Sequence, residues 1–131
     1  MRGAKVLVLD DEWLVAEQTA QYLSDAGVDV VGPYHSLGEA RMRAQEDPVD
    51  LAVLDYNIDG LPVTPLVEDL QKRDVPKIIV SGYGSRLDLP IETLGVDFMP
   101  KPVYGASLID RVAQRLSVRS ETMPSVSEPA K

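Results

Sequence analysis

The chain contains no cysteine and few basic residues. The absence of cysteine excludes a disulfide framework, a thiolate nucleophile and a zinc site with Cys ligands. Thirteen Lys and Arg residues stand against 21 Asp and Glu residues, which gives a formal net charge of −8. This balance argues against sequence-independent binding of nucleic acid, because such binding requires a positively charged surface.

Long hydrophobic runs are missing as well. The first apolar run, Val6 to Leu9, is followed at once by Asp10 and Asp11, so it is too short for a signal peptide. No other run approaches the length that crosses a membrane. We therefore expect a soluble, cytoplasmic protein. A chain of 131 residues suits a single domain that buries a core of its own.

Short apolar runs alternate with segments of helical periodicity. The runs of strand length are Lys5 to Leu9, Val28 to Val31, Leu51 to Leu54, Lys77 to Val80 and Val96 to Met99. The helical segments between and after them are Glu12 to Ala26, Ser36 (as N-cap) to Asp47, Thr64 to Arg73, and Gly105 to Ser117. This alternation predicts right-handed βαβ units and an open, doubly wound parallel sheet.

Two segments depart from this pattern. Between Ser81 and Gly95 the residues Gly82, Gly84 and Pro90 interrupt the helical signal, so we expect a short or irregular fourth helix. Residues 119–131 lack periodicity and are rich in Ser, Glu and Pro, which is typical of a disordered tail. The predicted domain therefore covers residues 1–118.

Polar residues follow the strands where they end. Asp10 and Asp11 follow the first strand, Asp55 the third, Ser81 the fourth, and Lys101 comes soon after the fifth. In a doubly wound sheet these ends share one edge, and ligands bind there. We therefore expect three carboxylates, a hydroxyl and an amine to converge.

Such a cluster has a definite chemistry. Three adjacent carboxylates repel one another, so either their pKa values rise or a cation lies among them, and oxygen ligands favour Mg²⁺. Asp55 can then act as a nucleophile towards a phosphoryl group. The ammonium of Lys101 and the hydroxyl of Ser81 would meet the negative charge of that group, and the backbone N–H groups of Tyr56 and Gly82 are further candidate donors.

Asp10-Asp11, Asp55, Ser81 and Lys101-Pro102 resemble the signature of the response-regulator receiver domains of two-component signalling, over about residues 4–118. The resemblance implies the flavodoxin-like (βα)5 fold with strand order 2-1-3-4-5. It makes Asp55 the phosphoacceptor of a signalling domain rather than an enzyme.

The resemblance also assigns roles to single residues. Asp10, Asp11, Asp55 and the backbone carbonyl of Asn57 would hold Mg²⁺. Ser81 and Phe98 would be the switch residues that respond to phosphorylation.

By the same resemblance, the phosphodonor would be a sensor histidine kinase or a histidine phosphotransfer protein. No DNA-binding or enzymatic segment follows the domain in this sequence. We therefore expect a stand-alone receiver, monomeric or weakly dimeric, that signals by protein contact or serves as a phosphate sink. Neither nucleic acid nor a membrane is an expected partner.

Two loops bear on the subgroup and on the switch. Receivers commonly carry a Met-Pro or Leu-Pro step soon after the acceptor. Here the loop reads Asp55-Tyr-Asn-Ile-Asp-Gly-Leu-Pro-Val-Thr-Pro65, a departure that leaves its geometry open. The stretch Ile79 to Gly84 resembles the Phe-Ala-Thr-Gly-Tyr motif of a subgroup of single-domain receivers, often linked to kinases of the HWE class in alphaproteobacteria. Tyr83 in this stretch is either a packing residue or a cover over the acceptor that slows hydrolysis.

Other interpretations stay open at this stage. Each strand-end residue taken alone could be an ordinary cap or turn residue. A receiver-like module that binds a partner without phosphorylation is the main alternative. A phosphohydrolase usually has a second Asp two residues after its nucleophile, where this chain has Asn57. We expect His35 to be a surface residue away from the site, and Trp13 to be a packing residue at the start of the first helix.

Overall fold

A five-stranded parallel sheet forms the centre of the fold. The computed structural model describes residues 1–82 and 96–122, with side chains as far as residue 117. The strands of this sheet are β1 (Lys5–Leu9), β2 (Asp29–Tyr34), β3 (Leu51–Asp55), β6 (Lys77–Ser81) and β7 (Val96–Pro100). Two further strands, β4 (Asn57–Ile58) and β5 (Leu61–Pro62), pair only with each other. The order β2-β1-β3-β6-β7 is therefore the predicted order 2-1-3-4-5.

Four helices in the described residues cover the two faces of the sheet. They are α1 (Trp13–Asp25), α2 (Leu37–Glu46), α3 (Thr64–Gln71) and α4 (Gly105–Thr122). One core cluster joins the sheet to α2 and α3, and a second joins it to α1 and α4. Because β1, β3 and β6 are buried on both faces, they are continuous apolar runs in the sequence. The doubly wound prediction is confirmed.

Local signals at the helix ends behave as expected. The hydroxyl of Ser36 accepts a hydrogen bond from the Glu39 N–H at 3.3 Å and so caps α2. Gly27 follows α1 with a φ of +90°, a conformation that side chains other than glycine rarely adopt. These two residues fix where the chain turns back towards the sheet.

Several boundaries differ from the predictions. β2 continues through Gly32 and Pro33 to Tyr34, with a shift in its register to β1. α3 begins at Thr64 as predicted, with Val63 as its N-cap, but it ends at Gln71 and not at Arg73. The last helix, α4, extends to Thr122 and so includes the first residues of the predicted tail.

Some predictions lie outside the described residues. These are the irregular fourth helix from residue 83 onwards, the position of Tyr83, and the tail from residue 123. None of the described helices has the length and apolarity needed to cross a membrane.

Candidate functional site

The strand-end residues meet at the carboxyl edge of the sheet. Asp55 is the last residue of β3, beside Val80 of β6, and Ser81 ends β6 beside Pro100 of β7. Asp10 follows β1 directly, and Asp10, Asp55 and Ser81 are all buried. One carboxylate oxygen from each of Asp10, Asp11 and Asp55 lies within 4.8 Å of the others. The parallel topology thus gathers groups that are far apart in the sequence.

Lys101 lies in the middle of this acidic cluster. Its Nζ is 3.1 Å from Asp10 Oδ2 and 3.4 Å from Asp55 Oδ2. Its backbone N–H donates to the Ser81 carbonyl at 2.9 Å, which anchors the residue to the end of β6. A third carboxylate, Glu12 Oε1, lies 3.0 Å from the same Nζ. Sequence analysis did not single out Glu12, although it directly follows Asp10 and Asp11.

The charges in the site shift two pKa values. Burial, followed by the charge of Asp10, raises the pKa of Asp55 to about 7, although Lys101 acts in the opposite direction. Burial alone would lower the pKa of Lys101, but its hydrogen bond to Glu12 and the charges of Asp10 and Asp55 raise it above its ordinary value. The amine is therefore a permanent cation, while Asp55 is an acid that needs further positive charge to stay ionised at neutral pH.

The loop after Asp55 is built as a small hairpin. Asp59 and Gly60 form its turn with φ values of 53° and 84°, as a two-residue type I′ turn requires. The Asp59 N–H donates to Asp11 Oδ2 at 2.7 Å, which ties the hairpin to the acidic cluster. The loop whose sequence departs from the usual receiver pattern therefore has a regular geometry.

The hairpin also directs the Asn57 carbonyl. The Val63 N–H donates to the Tyr56 carbonyl at 2.8 Å, and Asn57 is opposite Pro62 at the next position. Hydrogen-bonded and non-hydrogen-bonded pairs alternate along such a ladder, so the Asn57 carbonyl points away from β5. The hairpin ladder leaves this oxygen available, as a metal ligand must be.

Other predicted contacts are different in the structure. The Tyr56 N–H donates to the Val80 carbonyl at 3.2 Å, so the sheet uses one of the two proposed backbone donors. Phe98 lies half-buried on β7, and its carbonyl accepts from Arg111 of α4 at 3.1 Å. This contact links the predicted switch position to the last helix.

The prediction that His35 lies away from the site is wrong, and Trp13 packs on the His35 ring at the start of α1. His35 Nδ1 lies 3.1 Å from the carbonyl of Asp10, so the ring is next to the site. Trp13 has 62% of its surface exposed, and it stacks on His35 with ring centroids 4.5 Å apart. The cause is the longer β2, which carries the chain as far as Tyr34 and brings the following residue beside Asp10.

A cavity of about 350 Å³ lies behind the cluster, between α1 and the segment after Lys101. Asp10, Asp55 and Lys101 form its polar end, and its apolar lining includes Val8, Val15, Val53, Val80 and Val103. The cavity therefore joins the three charged groups of the site to an apolar interior between the sheet and α1.

The donor set fits a small divalent cation. Asp10, Asp11 and Asp55 offer carboxylate oxygens at short mutual distances, and the charges of Asp10 and Asp11 add to the effect of burial in raising the pKa of Asp55. Oxygen ligands of this type suit Mg²⁺ better than softer metals.

Comparison with known protein families decides the class of the chain. Residues 6–113 match the family described as the response regulator receiver domain. The chain belongs to this family. Receiver domains are the signalling modules of two-component systems, as the strand-end residues indicated.

Individual receivers show the same relationship. The chain is 32% identical over 130 residues to a protein-glutamate methylesterase/protein-glutamine glutaminase of Archaeoglobus fulgidus, covering 94% of this chain and 37% of that protein. It is 29% identical over 115 residues to the regulatory protein VanR of Enterococcus faecium, covering 86% and 49%. The chain thus spans less than half the length of these two relatives.

Solved structures confirm the fold. A CheY-like receiver domain protein from Methanospirillum hungatei superposes with a TM-score of 0.82 at 24% identity, covering 92% of this chain and 98% of that one. The receiver domain of the hybrid histidine kinase CckA gives a TM-score of 0.72 at 27% identity, covering 86% and 99%. This receiver therefore has the CheY-like, flavodoxin-like architecture.

Proposed function

We propose that this receiver accepts a phosphoryl group on Asp55 from the phosphohistidine of a sensor histidine kinase or a histidine phosphotransfer protein, in a Mg²⁺-dependent reaction. The observation that carries the proposal is the position of Asp55 at the end of β3, buried between the Lys101 ammonium and the carboxylates of Asp10 and Asp11. A buried carboxylate beside a fixed cation, at an edge whose oxygen donors suit a metal, is well placed to receive an anionic group.

The chemistry assigns one task to each side chain. An oxygen of the Asp55 carboxylate attacks phosphorus in line, the phosphorus–nitrogen bond of the donor breaks, and its electron pair stays on the imidazole. Lys101 offsets the charge on the transferred oxygens, and Ser81 at the end of β6 offers a hydroxyl to them. A bound Mg²⁺ would be held by Asp10, Asp11, Asp55 and the Asn57 carbonyl, and it would neutralise charge on both carboxylate and phosphoryl oxygens.

The structure offers a route from this chemistry to a surface. Ser81 and Lys101 are joined by a backbone hydrogen bond of 2.9 Å, so a movement of one acts on the other. Phe98 lies three residues before Lys101, on β7, where Arg111 binds its carbonyl. We propose that phosphorylation rearranges this region and that the receiver signals in the cytoplasm by protein contact, or drains phosphate from its kinase as a sink.

The decisive experiment is the intact mass of the protein after incubation with Mg²⁺ and acetyl phosphate. We expect the wild type to gain one phosphoryl group and Asp55→Asn to gain none. Asp59→Asn is the matched control, because it is the same substitution at an acidic residue whose backbone, not side chain, contacts the site. This variant should be phosphorylated like the wild type.

Other outcomes have clear meanings. If the wild type gains no mass with acetyl phosphate or with a phosphorylated kinase, the chain acts as a receiver-like module that binds its partner without phosphorylation. If Asp55→Asn still gains mass, the acceptor is a different residue.

A further inference from the structure

The ammonium of Lys101 is surrounded by more carboxylates than the proposed reaction uses. A lysine ammonium has three N–H donors. In the described residues it forms ion pairs with Asp10 at 3.1 Å, Glu12 at 3.0 Å and Asp55 at 3.4 Å. A phosphoryl oxygen on Asp55 can take a donor from Lys101 only if one of these contacts weakens.

We propose that Glu12 is a positioning residue, which holds Lys101 in the unphosphorylated receiver and is the partner that Lys101 gives up when a phosphoryl group arrives on Asp55. The inference rests on the proposed function, since it assigns a further residue to the same reaction. Glu12 does not touch the reacting atoms; it acts through Lys101.

The burial of the three carboxylates indicates which of the Lys101 ion pairs breaks most easily. The side chains of Asp10 and Asp55 are 8% and 10% exposed, whereas that of Glu12 is 62% exposed. Asp10 is also fixed by a second contact, because its Oδ1 accepts from the Glu12 N–H at 2.9 Å. The Glu12 carboxylate can turn into water without leaving a buried charge unpaired, and the other two cannot.

The local backbone is consistent with this role. Glu12 is the N-cap residue of α1, yet its side chain caps no helix N–H. Its carboxylate points to Lys101, 89 residues away in the sequence. Since Asp and Ser cap helices better than Glu does, local helix stability does not account for the glutamate, and the ion pair does.

The contact between Glu12 and Lys101 should slow phosphorylation by a small but measurable factor. While Lys101 is held by Glu12, fewer of its donors reach the incoming phosphoryl group, so removing the Glu12 contact should speed phosphorylation. An exposed ion pair is weak, so we expect a rise in rate of about two- to five-fold.

The experiment compares three variants in the full chain. Glu12→Gln removes the charge, and Glu12→Asp keeps the charge but shortens the side chain, which then turns to the helix N–H groups. Glu17→Gln is the matched control, because Glu17 is exposed on the same helix and is not among the ion-pair partners of Lys101. The measured quantity is the rate constant for phosphorylation by acetyl phosphate with Mg²⁺.

A second readout needs no phosphorylation. The NMR signal of the Lys101 ammonium, recorded without Mg²⁺ and acetyl phosphate, should shift in both Glu12 variants and stay unchanged in Glu17→Gln. We expect both Glu12 variants to react faster than the wild type, and Glu17→Gln to react at the wild-type rate.

The outcomes separate this inference from the proposed function. If Glu12→Gln and Glu17→Gln accelerate the reaction equally, the effect is one of net charge and the positioning role is wrong. The positioning role is also wrong if Glu12→Asp reacts at the wild-type rate, or if the NMR signal of the Lys101 ammonium is unchanged in both Glu12 variants. A wild type that is not phosphorylated at all would overturn the proposed function and this role together, whereas a phosphorylated wild type with unchanged Glu12 variants would overturn this role alone.

Discussion

At the scale of single residues, the described core holds a buried charged side chain that lies outside the site. Lys77, the first residue of β6, is 1% exposed and lies at the end of the strand opposite the acidic cluster. Its Nζ donates to Gln71 Oε1 at 2.7 Å and to the Val75 carbonyl at 2.8 Å. Burial lowers the pKa of this amine from 10.5 to about 8, although Asp74 acts in the opposite direction.

This shift predicts a dependence of stability on pH. Between about pH 8 and 10.5 the unfolded chain keeps the Lys77 proton while the folded protein has lost it, so the unfolded state binds more protons and the free energy of unfolding rises with pH. Below pH 8 both states are charged and the gain is absent. Urea unfolding at pH 7.5 and 9.5 should show a larger rise for the wild type than for Lys77→Met.

The comparison with Lys77→Met removes the contribution of all other titrating groups, because they are common to both proteins. Equal changes in the two proteins between the two pH values would show that the amine does not titrate in this range.

At the scale of elements, the β4–β5 hairpin couples local backbone conformation to the acidic cluster. Gly60 has a φ of +84°, and an added Cβ would have open space around it. The neighbouring Asp59 N–H binds Asp11. A change that disturbs the turn should therefore alter the position of Asp11, a candidate metal ligand.

We expect Gly60→Ala to lower the free energy of unfolding by about 1–2 kcal/mol, because an L-residue is strained in the left-handed region. The same variant should weaken Mg²⁺ binding, measured by titration calorimetry. Gly38→Ala is the matched control, since Gly38 in α2 also has open space but no positive φ. It should leave Mg²⁺ affinity unchanged and make the protein no less stable.

Had Gly60→Ala the same Mg²⁺ affinity as the wild type, the bond between Asp59 and Asp11 would have no part in shaping the site.

Elements differ in how far the sequence predicts them. The five strands of the main sheet and the four helices of the described residues follow from apolar periodicity, because burial on one or two faces sets that periodicity. The hairpin has a recognisable Asp-Gly signal, but its strands of two residues are too short to show alternation. β2 continues through Pro33 because it is an edge strand, where a missing N–H costs no ladder bond.

At the scale of the whole molecule, the fold holds the site together at a cost in stability. Asp10, Asp55 and Lys101 could be placed from sequence, because parallel strands bring their carboxyl ends to one edge. Two contacts could not be predicted from the sequence: that of Glu12 with Lys101 and that of Asp11 with the hairpin. Both depend on side-chain conformations across loops. The topology brings several negative charges together, and their burial is energetically unfavourable.

This arrangement predicts that metal binding and stability are linked. Without Mg²⁺, the raised pKa of Asp55 means that the folded state binds more protons between about pH 4 and 7, so stability falls as the pH rises through that range. At pH 8, Asp55→Asn should therefore be more stable than the wild type in the absence of Mg²⁺.

Adding Mg²⁺ should narrow this difference. At a concentration about 100 times the dissociation constant, linkage adds about 2.7 kcal/mol to the free energy of unfolding, and Asp55→Asn should gain much less. Urea unfolding with and without Mg²⁺ measures both effects, with Asp59→Asn as the control that should follow the wild type. If Asp55→Asn gained as much stability as the wild type, the ion would bind elsewhere.

The stacking of Trp13 on His35 has a practical consequence. Each is the sole residue of its type in the chain, and the histidine of the pair touches the backbone of Asp10. Intrinsic tryptophan emission from this receiver therefore has one origin, at the rim of the acidic cluster, and an adjacent imidazole that can quench it. The molecule carries its own optical probe, which needs neither a label nor an engineered chromophore.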